Sequence, residues 1–444
     1  MTAGNPCYGA AVNERDRLRR RLGADLKVGL ARVWARARQI VTTDPTGSDE
    51  DDRIIDAAGE RELAKHAGEM KGGMAKVAQL LAYTSAGAPR ELASLWDDAP
   101  TVSPGAIARV IEEELGAPPQ VVFAAWDPEP IAAASLGQVH AARSKDGREL
   151  AVKVQYPGVA EALAGDLASD GFARRLAGLE LGQELSAEAI ATLRAAIIGE
   201  VDYVAEAAAL HRFAAAWADD PLVRIPTVLP ELSSRRVLTM TRAQGVPLTE
   251  LPHDDPALRA EVAVAIVRFA WGTPLRHGFF NADPNPGNYL VERHGDGVHV
   301  WFLDFGCTVD LAEPVAAADR DLWFGILDDD AFAGAERFRM ALARQGLLKR
   351  IDSLASAAHR DWERALAEPF ASVEPFHWDR EYHAELSLDT RRVLSAGGLT
   401  IPPEVTLLWR ARLGVSAVLA MLDARAPFRR VLRELIGTGR KALR

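Results

Sequence analysis

The first periodic segment of the chain is rich in leucine and arginine. Between Arg15 and Val41, leucine recurs every fourth residue among basic residues, at Leu18, Leu22, Leu26 and Leu30. This spacing places the leucines on one face and predicts a basic amphipathic helix. Such a helix either contacts an anionic membrane surface or an acidic partner, or packs its leucines on the protein body. The acidic stretch Asp44–Asp52 predicts a linker after it.

Helical periodicity returns in three further stretches, which are Ile54–Tyr83, Pro104–Leu115 and Ala187–Trp217. Ser103 precedes the second stretch, and its hydroxyl is suited to cap a helix that begins with proline. From Pro256 onward the pattern is again mostly helical, although a polar loop rich in proline and glycine interrupts it at Asn281–Asn288. We therefore expect helices in most of the C-terminal half.

Short β-prone runs stand between these helical stretches. Val139–Arg143 and Glu149–Val154 flank the turn-forming residues Lys145-Asp146-Gly147, which predicts a hairpin. Further strands are predicted at Arg236–Met240, Tyr289–Glu292 and His299–Leu303. The order of these elements predicts an α+β fold with a small mixed lobe and a larger helical lobe. A hairpin, a helix and a strand come first, and a helical part with its own hairpin follows.

Composition and charge exclude several classes of protein. The formal net charge of −10 argues against a nucleic-acid-binding protein. The two cysteines, Cys7 and Cys307, are far apart, which argues against a disulfide framework or a cysteine-based zinc site. No secretory signal and no apolar run of about 18 residues is visible, so we expect a cytoplasmic protein without a membrane span.

Two short motifs carry the chemistry of phosphoryl transfer. In Asp283-Pro-Asn-Pro-Gly-Asn288, an Asp precedes an Asn by five residues, as in the catalytic loop of kinases. Asp304-Phe-Gly306 follows an apolar run and supplies a further oxygen ligand of the kind that Mg²⁺ prefers. Taken alone, each motif is more often a turn. Their order and spacing favour the phosphoryl-transfer interpretation.

A lysine and an alanine-rich segment precede these motifs. Lys153 lies on the second strand of the predicted hairpin, where kinases hold a phosphate-binding lysine. A lone lysine there is usually a surface residue. The segment Ala132–Gly137 stands where kinases have a glycine-rich loop, although an alanine run by itself favours a helix or a packing surface.

These segments together resemble the UbiB/AarF/ADCK family of atypical kinases. The resemblance extends from about Met70 to Leu422 and rests on long motifs in the same order. These motifs are Lys76-Val-Ala-Gln79, Ala132-Ala-Ala-Ser-Leu-Gly-Gln-Val-His140, Ala151-Val-Lys-Val-Gln-Tyr-Pro-Gly-Val159, Glu200-Val-Asp202-Tyr203 with Glu206-Ala207, and Asn281-Ala-Asp-Pro-Asn-Pro-Gly-Asn288. It implies a bilobal protein-kinase-like fold, with a helical N-terminal extension packed over the active site. The implied cofactors are ATP or ADP and Mg²⁺.

The resemblance also implies a role for each site residue. Lys153 would bind the α- and β-phosphates, and Asp283 would occupy the catalytic-base position. Asn288 and Asp304 would bind Mg²⁺. The alanine-rich loop would cover the nucleotide, and a residue of the predicted strand Arg236–Met240 would border it. The loop residues are Ala132, Ala133, Ala134, Ser135, Leu136 and Gly137, and the strand residue is Met240. Lys76 and Gln79 would lie over the active site from the extension, and Glu200 and Asp202 would face the site near the extension.

Several positions depart from the family pattern. Ala78 replaces a glycine in the Lys-x-Gly-Gln signature. Thr241 replaces a glutamate that often follows the strand predicted here at Arg236–Met240. The two histidines of the catalytic loop are replaced by Asn281 and Asn285. Arg194 stands near the expected position of the glutamate that pairs with the lysine, so the partner of Lys153 stays open. Apart from the resemblance, Glu200 is a candidate partner, and the alternative is that Glu200 is a solvated surface carboxylate.

Two classes of function follow from these observations. The first is an ATPase or kinase that acts on a lipid or another small molecule, because the family's extension obstructs a protein-substrate cleft. The second is a pseudokinase-like regulator that binds nucleotide and acts on a partner.

We expect a basic helix and linker at 1–52, the extension at 53–122, a small lobe at 123–243 and a helical lobe at 244–444. Besides the two classes of function, a third possibility is a membrane-recruited scaffold, in which the basic helix Arg15–Val41 makes peripheral contact with the membrane.

Overall fold

The structure is a computed structural model that describes residues 102–134, 136–161, 199, 201–295, 297–348, 357–395, 399 and 402–439. The predicted basic helix, the linker and the helix Ile54–Tyr83 lie outside these residues. The same holds for the site positions Lys76, Gln79, Ser135 and Glu200, and for Ala78 and Arg194.

The first described helix, α1 (Pro104–Leu115), has the bounds that its sequence predicts. The Ser103 hydroxyl accepts a hydrogen bond from the amide of Ala106 at 3.4 Å, and Gly116 ends the helix with a φ of 77°. Its apolar face, formed by Ala106, Ile107, Val110 and Ile111, is buried against the sheet of the small lobe. One short helix, α2 (Pro119–Val122), follows.

Five strands lie in the first part of the structure: β1 (Ala125–Ala134), β2 (Gly137–Arg143), β3 (Glu149–Gln155), β4 (Val223–Arg224) and β5 (Val237–Thr241). Antiparallel pairing in the order β1-β2-β3-β5 forms the sheet of the small lobe. The predicted hairpin is therefore confirmed, and Gly147 in its turn has a φ of 91°. The alanines of Ala132–Ala134 form the end of β1, because they pair with β2 from Val139 to Gly137.

The predicted helix Ala187–Trp217 was wrong as one continuous helix. Helix α3 (Tyr203–Ala216) begins after a break at Val201 and Asp202. The Asp202 carboxylate accepts hydrogen bonds from the amides of Val204 and Ala205, both at 3.1 Å. A cap of this kind satisfies free amide groups at a helix start, so the acidic residue creates a boundary that apolar periodicity does not reveal.

The large lobe is built around the long helix α4 (Pro256–His277), which Asp255 caps and Gly278 ends. Five further strands are β6 (Val246–Pro247), β7 (Phe279–Asn281), β8 (Tyr289–His294), β9 (Gly297–Phe302) and β10 (Thr308–Asp310). A second sheet has the order β4-β9-β8-β6, and a two-stranded ribbon pairs β7 with β10. Single 3₁₀ turns lie at Pro230–Leu232, Leu248–Glu250 and Pro286–Asn288. The ribbon places the two predicted catalytic motifs side by side.

The rest of the large lobe is mostly helical, as predicted. Its helices are α5 (Glu313–Leu327), α6 (Ala331–Arg344), α7 (Ala357–Ala371), α8 (Arg380–Ser395), α9 (Pro403–Leu422) and α10 (Phe428–Gly439). The prediction missed two short paired strands, β11 (Phe376–Trp378) and β12 (Ala424–Ala426). Three residues give too little periodicity for recognition, and the pairing that defines them is distant in sequence.

Within the described residues, one helical segment, Val405–Leu422, has the length and hydropathy of a membrane span. It belongs to α9, and 78% of this segment is buried inside the protein. The α+β architecture, with an antiparallel sheet in one lobe and a helical second lobe, agrees with the sequence prediction. Of the predicted N-terminal extension at 53–122, residues 102–122 are described, and their helix α1 packs against the small-lobe sheet. The remainder of the extension, with the signature residues predicted to lie over the active site, is outside the described residues.

Candidate active site

Lys153 is at the centre of the site, between the two lobes. Its ammonium Nζ lies 2.9 Å from both carboxylate oxygens of Glu206 and 3.1 Å from Oδ2 of Asp304. Strand β3 supplies the lysine, the first turn of α3 supplies Glu206, and the segment that follows β9 supplies Asp304. The ring of Tyr203 also faces the ammonium, with 5.1 Å from Nζ to the ring centroid. This cluster thus joins three parts of the fold.

The electrostatics of the cluster keep the lysine charged. Burial opposes the charged form of Lys153, but the negative charges of Asp304 and Glu206 outweigh this effect and raise its pKa well above the usual value. Burial also raises the pKa of Glu206 to about 7, although the Lys153 charge acts in the opposite direction. The ammonium therefore shares two carboxylates, one of which is close to accepting a proton at neutral pH.

The Asp304-Phe-Gly306 segment is held by its own backbone and by α3. The amide of Gly306 donates to Oδ1 of Asp304 at 3.0 Å, and the amide of Phe305 donates to Oε1 of Glu206 at 3.4 Å. The Phe305 ring is buried and lies 4.5 Å from the ring of Phe213, centroid to centroid. The burial of this ring holds the segment in place, while the Asp304 side chain keeps a quarter of its surface exposed.

The loop that carries Asp283 is tied to the same segment through Asn281. The side-chain amide of Asn281 donates to the carbonyl oxygen of Asp304 at 2.6 Å, and its carbonyl oxygen accepts from the amide of Asp283 at 3.0 Å. Asn288 Nδ2 donates to Oδ2 of Asp283 at 3.3 Å. Asn281 therefore orients the loop by hydrogen bonds to both segments.

The second substituted position of the loop, Asn285, has a local structural role. Its side-chain oxygen accepts a hydrogen bond from the amide of Gly287 at 3.0 Å, which caps the 3₁₀ turn. The backbone of Asn288 is held by two bonds, from its own amide to Asn285 and from the amide of Leu303 to its carbonyl. Both asparagine substitutions are thus compatible with an ordered loop.

The oxygen-rich character of the site suits Mg²⁺ held together with phosphates. Asp283, Asn288 and Asp304 contribute hard oxygen groups, and the described residues contain no cluster of three or more His, Cys, Asp or Glu that would form a complete metal cage. Mg²⁺ is usually bound by one or two carboxylates together with substrate phosphates. The donor set therefore fits a metal that enters with a nucleotide.

The predicted nucleotide-covering residues occupy different environments. Ala132 and Ala133 are exposed at the end of β1, and Ala134 is half-buried. Leu136 and Gly137 are buried, and a Cβ on Gly137 would overlap the carbonyl of Val154. Met240 is also buried, and it lies opposite Ala151 in the small-lobe sheet. Their contact with a nucleotide stays a prediction.

Sequence reasoning missed the principal partner of the lysine. It named Glu200 as a candidate, whereas the structure places Glu206 against Lys153. The helix break at Asp202 could have indicated this, because it puts Glu206 in the first turn of a new helix. Asp202 itself is exposed and caps that helix, and its predicted role at the extension stays a prediction.

Comparison with known proteins agrees with this geometry. The family model for the ABC1 atypical kinase-like domain matches residues 94–337. The chain belongs to this family. The match covers the small lobe, the lysine cluster and both catalytic motifs, so the predicted relationship to the UbiB/AarF/ADCK kinases is confirmed.

Two curated members of the family illustrate the relationship. The mitochondrial atypical kinase COQ8B of Rattus norvegicus is 33% identical over 321 residues, which are 71% of this chain and 59% of that protein. The mitochondrial atypical kinase COQ8 of Saccharomyces cerevisiae is 32% identical over 309 residues, 68% of this chain and 60% of that protein. The matches thus span about three fifths of these relatives' lengths.

A solved structure also shares the fold over most of the chain. The Mycobacterium tuberculosis protein Rv3197, solved as a complex with erythromycin, superposes with a TM-score of 0.60 at 26% sequence identity. The alignment covers 88% of this chain and 98% of that one. The fold that the two proteins share therefore extends beyond residues 94–337, which the family model matches.

Proposed function

We propose that this protein binds ATP or ADP with Mg²⁺ and acts as an atypical kinase or ATPase. The observation that carries the proposal is the contact of the Lys153 ammonium with both Glu206 and Asp304. A lysine shared in this way is next to the oxygen groups of the Asp-Phe-Gly segment, where phosphates and metal meet in kinases. The hydrogen-bonded pair of Asp283 and Asn288 completes the set.

Each of these residues has a task in phosphoryl transfer. A bound Mg-nucleotide would supply the phosphoryl group. Lys153 would neutralise phosphate charge as its ammonium moves from a carboxylate to a phosphate oxygen. Asn288 and Asp304 would hold the metal, and Asp283 would orient an acceptor hydroxyl or a water. Positioning and electrostatics, rather than covalent catalysis, would then account for most of the rate.

We propose a lipid or another hydrophobic small molecule as the partner, rather than a protein or a nucleic acid. The support is the family's N-terminal extension, which the resemblance places over a protein-substrate cleft. The related Rv3197 was solved with erythromycin, a large and partly apolar small molecule. The net charge of −10 is unfavourable for nucleic acid, while the basic segment Arg15–Val41 suits an anionic membrane surface.

The nucleotide site is tested by thermal shift with ATP or ADP, with and without Mg²⁺. We expect Mg-nucleotide to stabilise the wild type by about 3 kcal/mol at a hundredfold excess over Kd. Asp304→Asn keeps the size of the side chain and removes its charge, so the magnesium-dependent part of the shift should disappear. Asp321→Asn, at an exposed carboxylate that pairs with Arg344 on the surface, is the matched control and should shift like the wild type.

Two other outcomes would change the assignment. A folded wild type without any nucleotide-dependent shift would contradict the nucleotide site. Binding without release of phosphate would favour the pseudokinase-like regulator, for which nucleotide is a conformational ligand. Phosphate release that Asp283→Asn lowers by about a hundredfold or more, to a residual rate that is still measurable, would support the enzyme and justify a search for the acceptor among lipids and small molecules.

A further inference from the structure

Helix α9 contacts the catalytic loop on both sides of Asp283. Arg410 donates a hydrogen bond from Nη2 to the carbonyl oxygen of Ala282 at 3.1 Å, and its side chain is buried. One turn later, Gly414 lies against Pro284, and a Cβ at that glycine would overlap the proline ring. The residues immediately before and after Asp283 are therefore both held by one helix.

A glycine in the interior of α9 needs an explanation, because glycine destabilises a helix relative to alanine. The close approach of Pro284 supplies it, since no larger residue fits there without displacing the loop. An apolar cluster extends the same contact. Its buried members are Phe280 of β7, Ala282 of the loop, Cys307 directly after Asp-Phe-Gly, and Leu407, Leu408 and Ala411 of α9.

The position of α9 is itself fixed from the other side. Arg412 donates from Nη1 and Nη2 to the two carboxylate oxygens of Asp319 on α5, at 2.7 and 2.6 Å. Both residues are buried, and a bidentate pair of this kind restricts rotation and sliding of the helix. Arg410 therefore reaches the loop from a rigid support, as precise placement of a catalytic group requires.

We propose that Arg410 and Gly414 are positioning residues for Asp283. They hold the main chain on either side of this residue and so set the distance of its carboxylate from Asn288 and Asp304. The kinetic part of the proposal rests on the proposed function. Helix α9 lies beyond residue 337, where the family-model match ends, so this support comes from outside the matched segment. Displacement of a catalytic group by about 1 Å can lower a rate roughly a hundredfold.

The direct test compares Arg410→Met with Arg410→Lys in the full chain. Methionine keeps an apolar stem without a donor, whereas lysine keeps a donor that can reach a carbonyl. We expect Arg410→Met to lower the kcat of phosphate release about a hundredfold, with the KM for ATP within about twofold. Lysine should restore part of kcat. Met421→Leu, at the far end of α9, is the control and should behave like the wild type.

A double-substitution cycle separates positioning of Asp283 from a general loss of packing. In an Asp283→Asn background, Arg410→Met should lower kcat no further, because the carboxylate that Arg410 positions is already absent. Equal losses in both backgrounds would overturn the proposal. Gly414→Ala provides a second variant that leaves the guanidinium intact, and it should show the same loss of kcat with KM unchanged.

Hydrogen exchange gives a readout that does not depend on turnover. The amides of Ala282, Asp283 and Asn288 are bonded to Cys307, Asn281 and Asn285. Arg410→Met should accelerate their exchange about tenfold in the nucleotide-free protein, while the amides of α9 keep their protection. Unchanged exchange in the loop would overturn the positioning role. A wild type that lacks turnover would contradict the proposed function, and loop exchange would then decide the role of α9 alone.

Discussion

The molecule has one buried ion-pair cluster at the candidate site and another inside the large lobe. The two clusters differ in the ratio of carboxylates to cations and in their exposure to solvent. At the site, one ammonium on Lys153 is shared between Glu206 and Asp304, and the Asp304 side chain is 25% exposed. In the large lobe, Arg412 and Asp319 form a bidentate pair whose side chains are 5% and 0% exposed. The first cluster has more carboxylates than cations and reaches solvent, whereas the second is closed.

This difference separates a site that can rearrange from one that stabilises. In the proposed function, Lys153 would exchange a carboxylate for a phosphate oxygen. The partial exposure of Asp304 and the raised pKa of Glu206, about 7, favour such an exchange. Arg412 has no comparable alternative, since Asp319 is the one carboxylate within 4 Å among the described residues. Its guanidinium also lies over Trp323, with 4.9 Å from Cζ to the ring centroid.

The largest effect on the free energy of unfolding should come from removing one charge of the buried Arg412–Asp319 pair. Asp319→Asn keeps the shape of the side chain but leaves the guanidinium of Arg412 buried without its counter-charge, and arginine cannot lose its proton. We expect a loss of about 3–5 kcal/mol in the free energy of unfolding, measured by urea denaturation. A loss below about 1 kcal/mol would contradict the structural role that we assign to this pair.

The matched substitution at the site, Glu206→Gln, should have a smaller effect. Lys153 keeps Asp304 as a partner at 3.1 Å, so its charge stays compensated. We expect a loss of about 1 kcal/mol at pH 7. A loss as large as that of Asp319→Asn would show that the two pairs are energetically equivalent.

The pH dependence of this second substitution sharpens the comparison. The pKa of Glu206 in the folded protein is raised to about 7 from 4.5. Its stabilising contribution is therefore fully present below pH 4.5 and is lost as the pH rises through 7. Glu206→Gln should be more destabilising at pH 5 than at pH 8 in parallel urea titrations. The opposite trend would mean that the buried carboxylate is fully ionised.

The smallest effect concerns the aromatic ring beside the lysine. The hydroxyl of Tyr203 is buried and has no hydrogen-bond partner in the described part of the chain. Tyr203→Phe keeps the ring against the ammonium and removes this unsatisfied group, so stability should rise by up to about 1 kcal/mol. Destabilisation instead would indicate that the hydroxyl has a bound water or another partner in solution.

Local patterns predicted much of the fold and of the candidate site. Helix α1 has its predicted bounds because Ser103, Pro104 and Gly116 mark its ends within a few residues. The hairpin of β2 and β3 follows from strand propensity and a glycine turn. Asp283 and Asn288 are five residues apart, and their contact depends on one short loop. All these interactions are short-range.

The features that the sequence did not predict involve distant parts of the chain. The Lys153–Glu206 contact joins residues 53 positions apart, and several carboxylates lie near enough in sequence to compete for that role. The bond from Arg410 to Ala282 spans 128 positions, and nothing in the periodicity of α9 indicates which side chain reaches the loop. The short strands β11 and β12 exist only through their mutual pairing.

For this protein, the sequence by itself determined the family, the order of the lobes and the set of phosphate- and metal-binding candidates. These depend on motifs whose residues are near neighbours in the chain, so their spacing carries the information. Only the tertiary structure decided that Glu206 pairs with Lys153 and that α9 contacts the loop on both sides of Asp283. Those contacts arise when separate elements pack together, and close packing selects among many residues that local patterns leave equivalent.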